Sequence, residues 1–169
     1  EYHYGGIDKF ALSALASITM GEGRNWGSTD SKGLAYSARV EVFPLGRFHA
    51  KGEYIEGDTY FEETPKLMLG GGYSYNHHAM MSRGMSGSIL PDTRNINLYY
   101  ADMSLKYRGF ALNADFMGRH TSSPVFTGGQ PFVYNGAGVN VQASYLFDRK
   151  WEVALRNSSM IPEGEVRPF

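Results

Sequence analysis

Hydrophobic and polar residues alternate along seven stretches of this chain. In "YRGFALNADFMGR" (residues 107–119), Phe110, Leu112, Ala114 and Phe116 form one set, while Ala111, Asn113, Asp115, Met117 and Arg119 form the other. A period of two puts each set on its own face of a β-strand. Upstream, Phe10, Leu12, Ala14, Ala16, Ile18 and Met20 oppose Ser13, Ser17 and Thr19, and Ala38, Val40 and Val42 oppose Ser37, Arg39 and Glu41. Leu67, Leu69, Gly71, Tyr73 and Tyr75 oppose Lys66, Met68, Ser74 and Asn76, and Tyr99, Ala101, Met103, Leu105 and Tyr107 oppose Tyr100, Asp102, Ser104, Lys106 and Arg108. Downstream, Val139, Val141, Ala143, Tyr145 and Phe147 alternate with Asn140, Gln142, Ser144 and Leu146, then Trp151, Val153 and Leu155 with Glu152, Ala154 and Arg156. The pattern predicts an all-β protein of two-faced strands.

The joins alternate in length. Long Gly/Ser/Asn-rich joins cover residues 21–33, 77–95 and 120–136, after odd-numbered strands, whereas tight turns at Arg108-Gly109 and Asp148-Arg149-Lys150 follow even-numbered ones. Up-and-down strands then have every long loop at one end and every tight turn at the other, the pattern of outer-membrane barrels. Residues 46–65 depart from it: they follow an even strand yet form a long, acidic, Tyr-rich join, read here as an excursion on the tight-turn side. Tyr107, Phe110, Phe147 and Trp151 lie on the apolar register at the tight-turn end, and Tyr73, Tyr75, Tyr99 and Phe116 toward the long-loop end. Two aromatic girdles with an aliphatic band between them suit a bilayer with two interfaces, so the apolar register is expected to meet lipid.

Composition narrows the reading without changing it. The 169 residues carry a formal net charge of -1, which points to no nucleic acid or anionic membrane surface. No cysteine is present, which removes disulfides and thiolate metal sites. No apolar run is long enough for a membrane-crossing helix, whereas spanning strands need only about 9 to 11 alternating residues. The sequence starts at Glu1 without a signal peptide and reads as a mature or truncated product.

Four pieces carry a family resemblance. "ARVEVFPLG" (residues 38–46), "KGEYIEGD" (51–58) with "PKLMLGGGYSYN" (65–76), "KYRGFALNADFMGR" (106–119) and "YLFDRKWEVALR" (145–156) occur in an order that resembles the phosphate-selective porins of Bacteroidetes-type bacteria. The resemblance covers residues 38–169; the preceding stretch matches only in general barrel character. It implies an antiparallel up-and-down transmembrane β-barrel of about sixteen strands, often trimeric, that passes anions through the outer membrane of a Gram-negative cell. Seven strands are fewer than a closed barrel needs, so residues 1–169 are expected to form an internal portion of one larger barrel domain. The C-terminal "EGEVRPF" lacks the alternation of a terminal barrel strand.

The expected function is a passive channel for small hydrophilic solutes, including anions such as phosphate, with outer-membrane lipid as a partner and a homotrimer or larger outer-membrane complex as the assembly. A non-transporting barrel serving as a structural subunit is the second reading, and a soluble β-sandwich binding module the third. The candidate pore-lining residues are Arg39, Lys66, Lys106, Arg108, Arg119 and Arg156 with Glu41, Asp102, Asp115 and Glu152. Six cations against four anions permit anion passage, although a salt-bridge lattice stiffening the wall is the simpler role for most of them.

No catalytic set, metal site or cofactor is expected. His77-His78 with Met80, Met81 and Met85 lacks ligand spacing and reads as an external loop. The acids Glu53, Glu56, Asp58, Glu62 and Glu63 have no regular loop spacing and read as solvated. Gly70-Gly71-Gly72 falls inside a strand, where a bend or the close approach of a neighbour explains it better than a phosphate cradle. A two-residue turn at Arg108-Gly109 would pair Tyr107 with Phe110 and hence Asp102 with Asp115. Opposed carboxylates are destabilising without a cation or a proton, so an arginine from another strand, Arg39, Arg156 or one beyond this sequence, is expected beside them, the alternative being screening by water in the lumen.

Overall fold

The structure, a computed structural model, describes residues 1–6, 9–21, 33–84, 86–122 and 133–163. Among these residues, eight strands form one antiparallel sheet in sequence order: β1 (Tyr2–Tyr4), β2 (Ala11–Met20), β3 (Leu34–Phe43), β4 (Lys66–Met81), β5 (Ile89–Tyr107), β6 (Phe110–Thr121), β7 (Gly136–Phe147) and β8 (Trp151–Pro162). The seven alternating stretches correspond to β2–β8. The additional strand, β1, pairs Tyr2, His3 and Tyr4 with Ala14, Ser13 and Leu12 of β2, and three residues are too few for a sequence period to register. The sheet is open, with β1 at one edge and β8 at the other.

The two registers hold across the sheet. Ala14, Val40, Gly71, Ala101, Phe116 and Val139 are successive cross-strand neighbours, and so are Ser13, Glu41, Gly70, Asp102, Asp115, Asn140 and Ser158. The apolar face is left open: Val40 is 44% exposed, Val141 41% and Leu155 80%. What is buried lies against the polar face. One cluster, Ala11, Phe43, Phe48 and Met68, sits at the tight-turn end, and another, Ala79, Leu90, Ile96 and Val133, at the opposite end.

Two joins differ from the sequence expectation. The 77–95 join is mostly strand, because β4 runs on to Met81 and β5 begins at Ile89. Burial of Ala79, Leu90 and Ile96 extends the hairpin, and the mismatch is absorbed by register shifts between Asn76, Ala79 and Met81, with His78 at φ 53°. His77 and His78 are therefore on a strand, their rings stacked 3.8 Å apart, not in an external loop. Met85, most of the 21–33 and 120–136 joins and the C-terminal "GEVRPF" lie outside the described residues.

Residues 46–65 also do not extend away from the sheet. They fold back over its polar face through a kinked 3-10 helix, His49–Tyr54, and cover the cluster around Phe48. Glu53, Asp58 and Glu62 are consequently buried, which corrects the reading of these three acids as solvated, whereas Glu56 and Glu63 are exposed.

Candidate functional site on the polar face

Asp102 and Asp115 are paired across β5 and β6, with Tyr107 opposite Phe110, as the two-residue turn requires. The cation that makes this tolerable comes from β3. Arg39 donates Nη1 and Nη2 to the two Asp102 carboxylate oxygens at 2.7 Å each and Nε to Glu41 Oε1 at 2.9 Å, while the Tyr54 hydroxyl donates to Glu41 Oε2 at 2.7 Å. A fork of this kind is directional and strong. It must cross β4, and Gly70 lets it pass: a Cβ there would lie 2.6 Å from both Asp102 oxygens and 2.8 Å from Arg39 Nη2. Gly71, on the other face, has nothing within 4 Å of the equivalent position. Gly70→Ala is expected to open the fork and destabilise the protein by about 1 to 3 kcal/mol, whereas Gly71→Ala leaves stability intact. Urea midpoints of the two variants in detergent test this, and equal midpoints would remove the fork from any structural role.

Lys66 and Lys106 are also direct cross-strand neighbours. The clash is relieved because Lys106 turns under the 46–65 segment and donates to the carbonyls of Gly52 (2.7 Å), Ile55 (2.6 Å) and Gly57 (2.5 Å), while Lys66 Nζ reaches the Leu45 carbonyl at 3.4 Å. Asp58 accepts the Gly109 N–H at 2.7 Å and the Glu62 N–H, and the Arg108 N–H donates to the Glu62 carbonyl at 2.8 Å. Glu62 in turn holds the His49 backbone N–H and ring, each at 2.7 Å. Buried acids thus stitch the segment to the β5–β6 turn.

On the β7–β8 side, Glu56 is the anchor. Its carboxylate accepts from Arg156 Nη2 at 2.6 Å and Gln142 Nε2 at 3.3 Å, and its carbonyl from Asn113 at 2.6 Å. The bonds from Gln142 and Arg156 hold the Glu56 carboxyl below the usual carboxylate range. Burial acts oppositely on Glu53, pushing its carboxyl up, and burial together with the bond to Glu41 raises the Tyr54 hydroxyl. Between the segment and the strands lies a cleft of about 240 Å³ lined by Glu53, Glu56, Asp102, Ser104, Asp115 and Arg156 among others.

The candidate residues therefore fall into three groups. Arg39, Glu41, Asp102, Asp115 and Arg156 gather around or beside the cleft, Lys66 and Lys106 belong to the ground covered by the segment, and Glu152 is exposed beside Gly57, its carboxylate acting on Lys106 through space. Arg119 is at the other end, donating Nε to the Tyr134 carbonyl at 2.6 Å. Arg108 is a correction: at φ 47° it belongs to the turn and lies over the Tyr107 ring, 5.3 Å from its centroid, so it does not line the polar wall. Sequence reasoning missed Glu53, Tyr54 and Glu56 as site residues, although their position in the one join that broke the loop pattern was the available signal. Among the described residues no group of three or more His, Cys, Asp or Glu is placed to hold a metal ion.

No family model matches the chain, and comparison with curated proteins and with solved structures returned no match.

Proposed function

We propose that this chain builds part of the wall of an outer-membrane β-barrel porin, a passive channel for small hydrophilic solutes, as its resemblance to phosphate-selective porins implies. The observation that carries the reading is the uncovered apolar register. It runs unbroken over β2–β7, while both buried clusters form against the opposite face. An apolar area of this extent needs lipid or another protein against it, and a two-sheet sandwich would bury it. Its two ends carry the aromatic residues that suit membrane interfaces, with Tyr73 and Tyr99 rings 5.3 Å apart at one end and Tyr145 and Phe147 4.7 Å apart at the other. In this reading the free sides of β1 and β8 pair with further strands that close the barrel, and the assembly is a homotrimer or a larger outer-membrane complex.

Discrete conductance steps are expected when the native protein is reconstituted into planar bilayers. A folded, membrane-inserted barrel that conducts nothing would favour the second reading, a structural subunit, which has its own support in the 46–65 segment lying across the polar face. Monodisperse protein in detergent-free buffer would defeat both.

A further inference from the structure

We infer that the cleft between Glu53 and the β5–β7 wall binds a single positive charge, either a hydrated alkali-metal cation or the ammonium group of a small solute. The inference rests on the channel reading, and it concerns a cation held at the wall rather than the anions that the family resemblance implies the pore would pass.

Four carboxylates, Glu53, Glu56, Asp102 and Asp115, and one guanidinium, Arg156, line the cleft. Two of the acids are answered within the protein, Glu56 by Arg156 and Asp102 by Arg39. Asp115 accepts a neutral amide N–H, from Asn140 at 3.0 Å. Among the described residues, nothing hydrogen-bonds Oε2 of Glu53, which is 7% exposed, or Oγ of Ser104, which is 2% exposed and lines the same cleft. A backbone hydrogen bond favours the charged form of Glu53, as do Arg47 and Lys106 acting through space, and Glu41 opposes them. A buried carboxylate oxygen without a donor is costly, so these atoms suit a donor or cation that the described residues do not supply. An anion would face the same oxygens with the wrong sign. The absence of a three-ligand acidic group among the described residues argues against an inner-sphere divalent site, leaving one charge held through its water shell or its N–H donors.

The test is thermal unfolding of the purified native protein in detergent at fixed ionic strength, with potassium, methylammonium or tetraethylammonium chloride. Potassium or methylammonium should raise the midpoint over tetraethylammonium, which is bulky and has no N–H, by about 3 °C at saturation. Whichever acts identifies metal ion or ammonium as the source. The isosteric Glu53→Gln and Asp115→Asn variants should lose the response. Equal midpoints in all three salts, or a response that survives both variants, would overturn the inference whether or not the barrel conducts. A cation response in a protein that gives no conductance would instead overturn the channel reading alone.

Discussion

Lys106→Met is expected to release the 46–65 segment from the polar face. Lys106 is 1% exposed, and the carbonyls of Ile55 and Gly57 depend on its ammonium group; the Gly52 carbonyl also accepts the Ile55 N–H. Its charge also lies near Asp58, Glu62, Glu53 and Glu152, which would be left close together without their central cation. Removing one partner of a buried, hydrogen-bonded charge set costs about 3 to 5 kcal/mol. The methionine keeps the apolar stem, so the loss falls on the polar contacts. Local opening should rise by a factor of about a hundred or more, since each 1.4 kcal/mol is tenfold. Limited trypsin digestion of the membrane-inserted protein reads this directly, because Lys51 is exposed within the segment. Cleavage there should accelerate while the barrel strands stay protected. An unchanged rate would mean that Asp58, Glu62 and Glu56 hold the segment without Lys106.

Val141→Arg should cost about 2 to 4 kcal/mol in equilibrium unfolding from lipid vesicles, because the residue lies midway along β7 on the register proposed to face lipid. The control is Ser158→Arg. Ser158 is exposed and hydrogen-bonds Asn140 on the polar face, so its replacement should cost much less. Gln142, the adjacent polar-face position on β7, is unsuitable as a control: it is buried and already bonded to Glu56 and Arg156, and an arginine there would oppose Arg156. Equal losses at Val141 and Ser158 would contradict the lipid-facing assignment.

The Asp102–Asp115 pair shows how far local chemistry carries. Arg108-Gly109 fixes a two-residue turn, the turn fixes the register, and the register puts two carboxylates opposite each other, where either an arginine or screening by water is expected. The structure supplies Arg39 from two strands away. Gly70 was recognisable as a point of close approach, but what approaches it, a side-chain fork crossing the strand, depends on β3 and β5 flanking β4.

The existence and order of β2–β8 and the division into an apolar and a polar face followed from the sequence alone, because a period of two and short turns act between near neighbours. The destination of residues 46–65 did not. Their acids look solvated in sequence, since solvation is the default for charges without local partners. The groups that hold the segment are distant: Lys106 binds its carbonyls, the Gly109 N–H binds the buried Asp58, and Gln142 and Arg156 bind the exposed Glu56, up to 100 positions away along the chain. The long β4–β5 hairpin was hidden for a related reason, since His, Ser and Asn imply a loop until Ala79, Leu90, Ile96 and Val133 meet. Period and turn chemistry are encoded locally, whereas burial of a charge is decided by which distant groups the fold brings within hydrogen-bond reach.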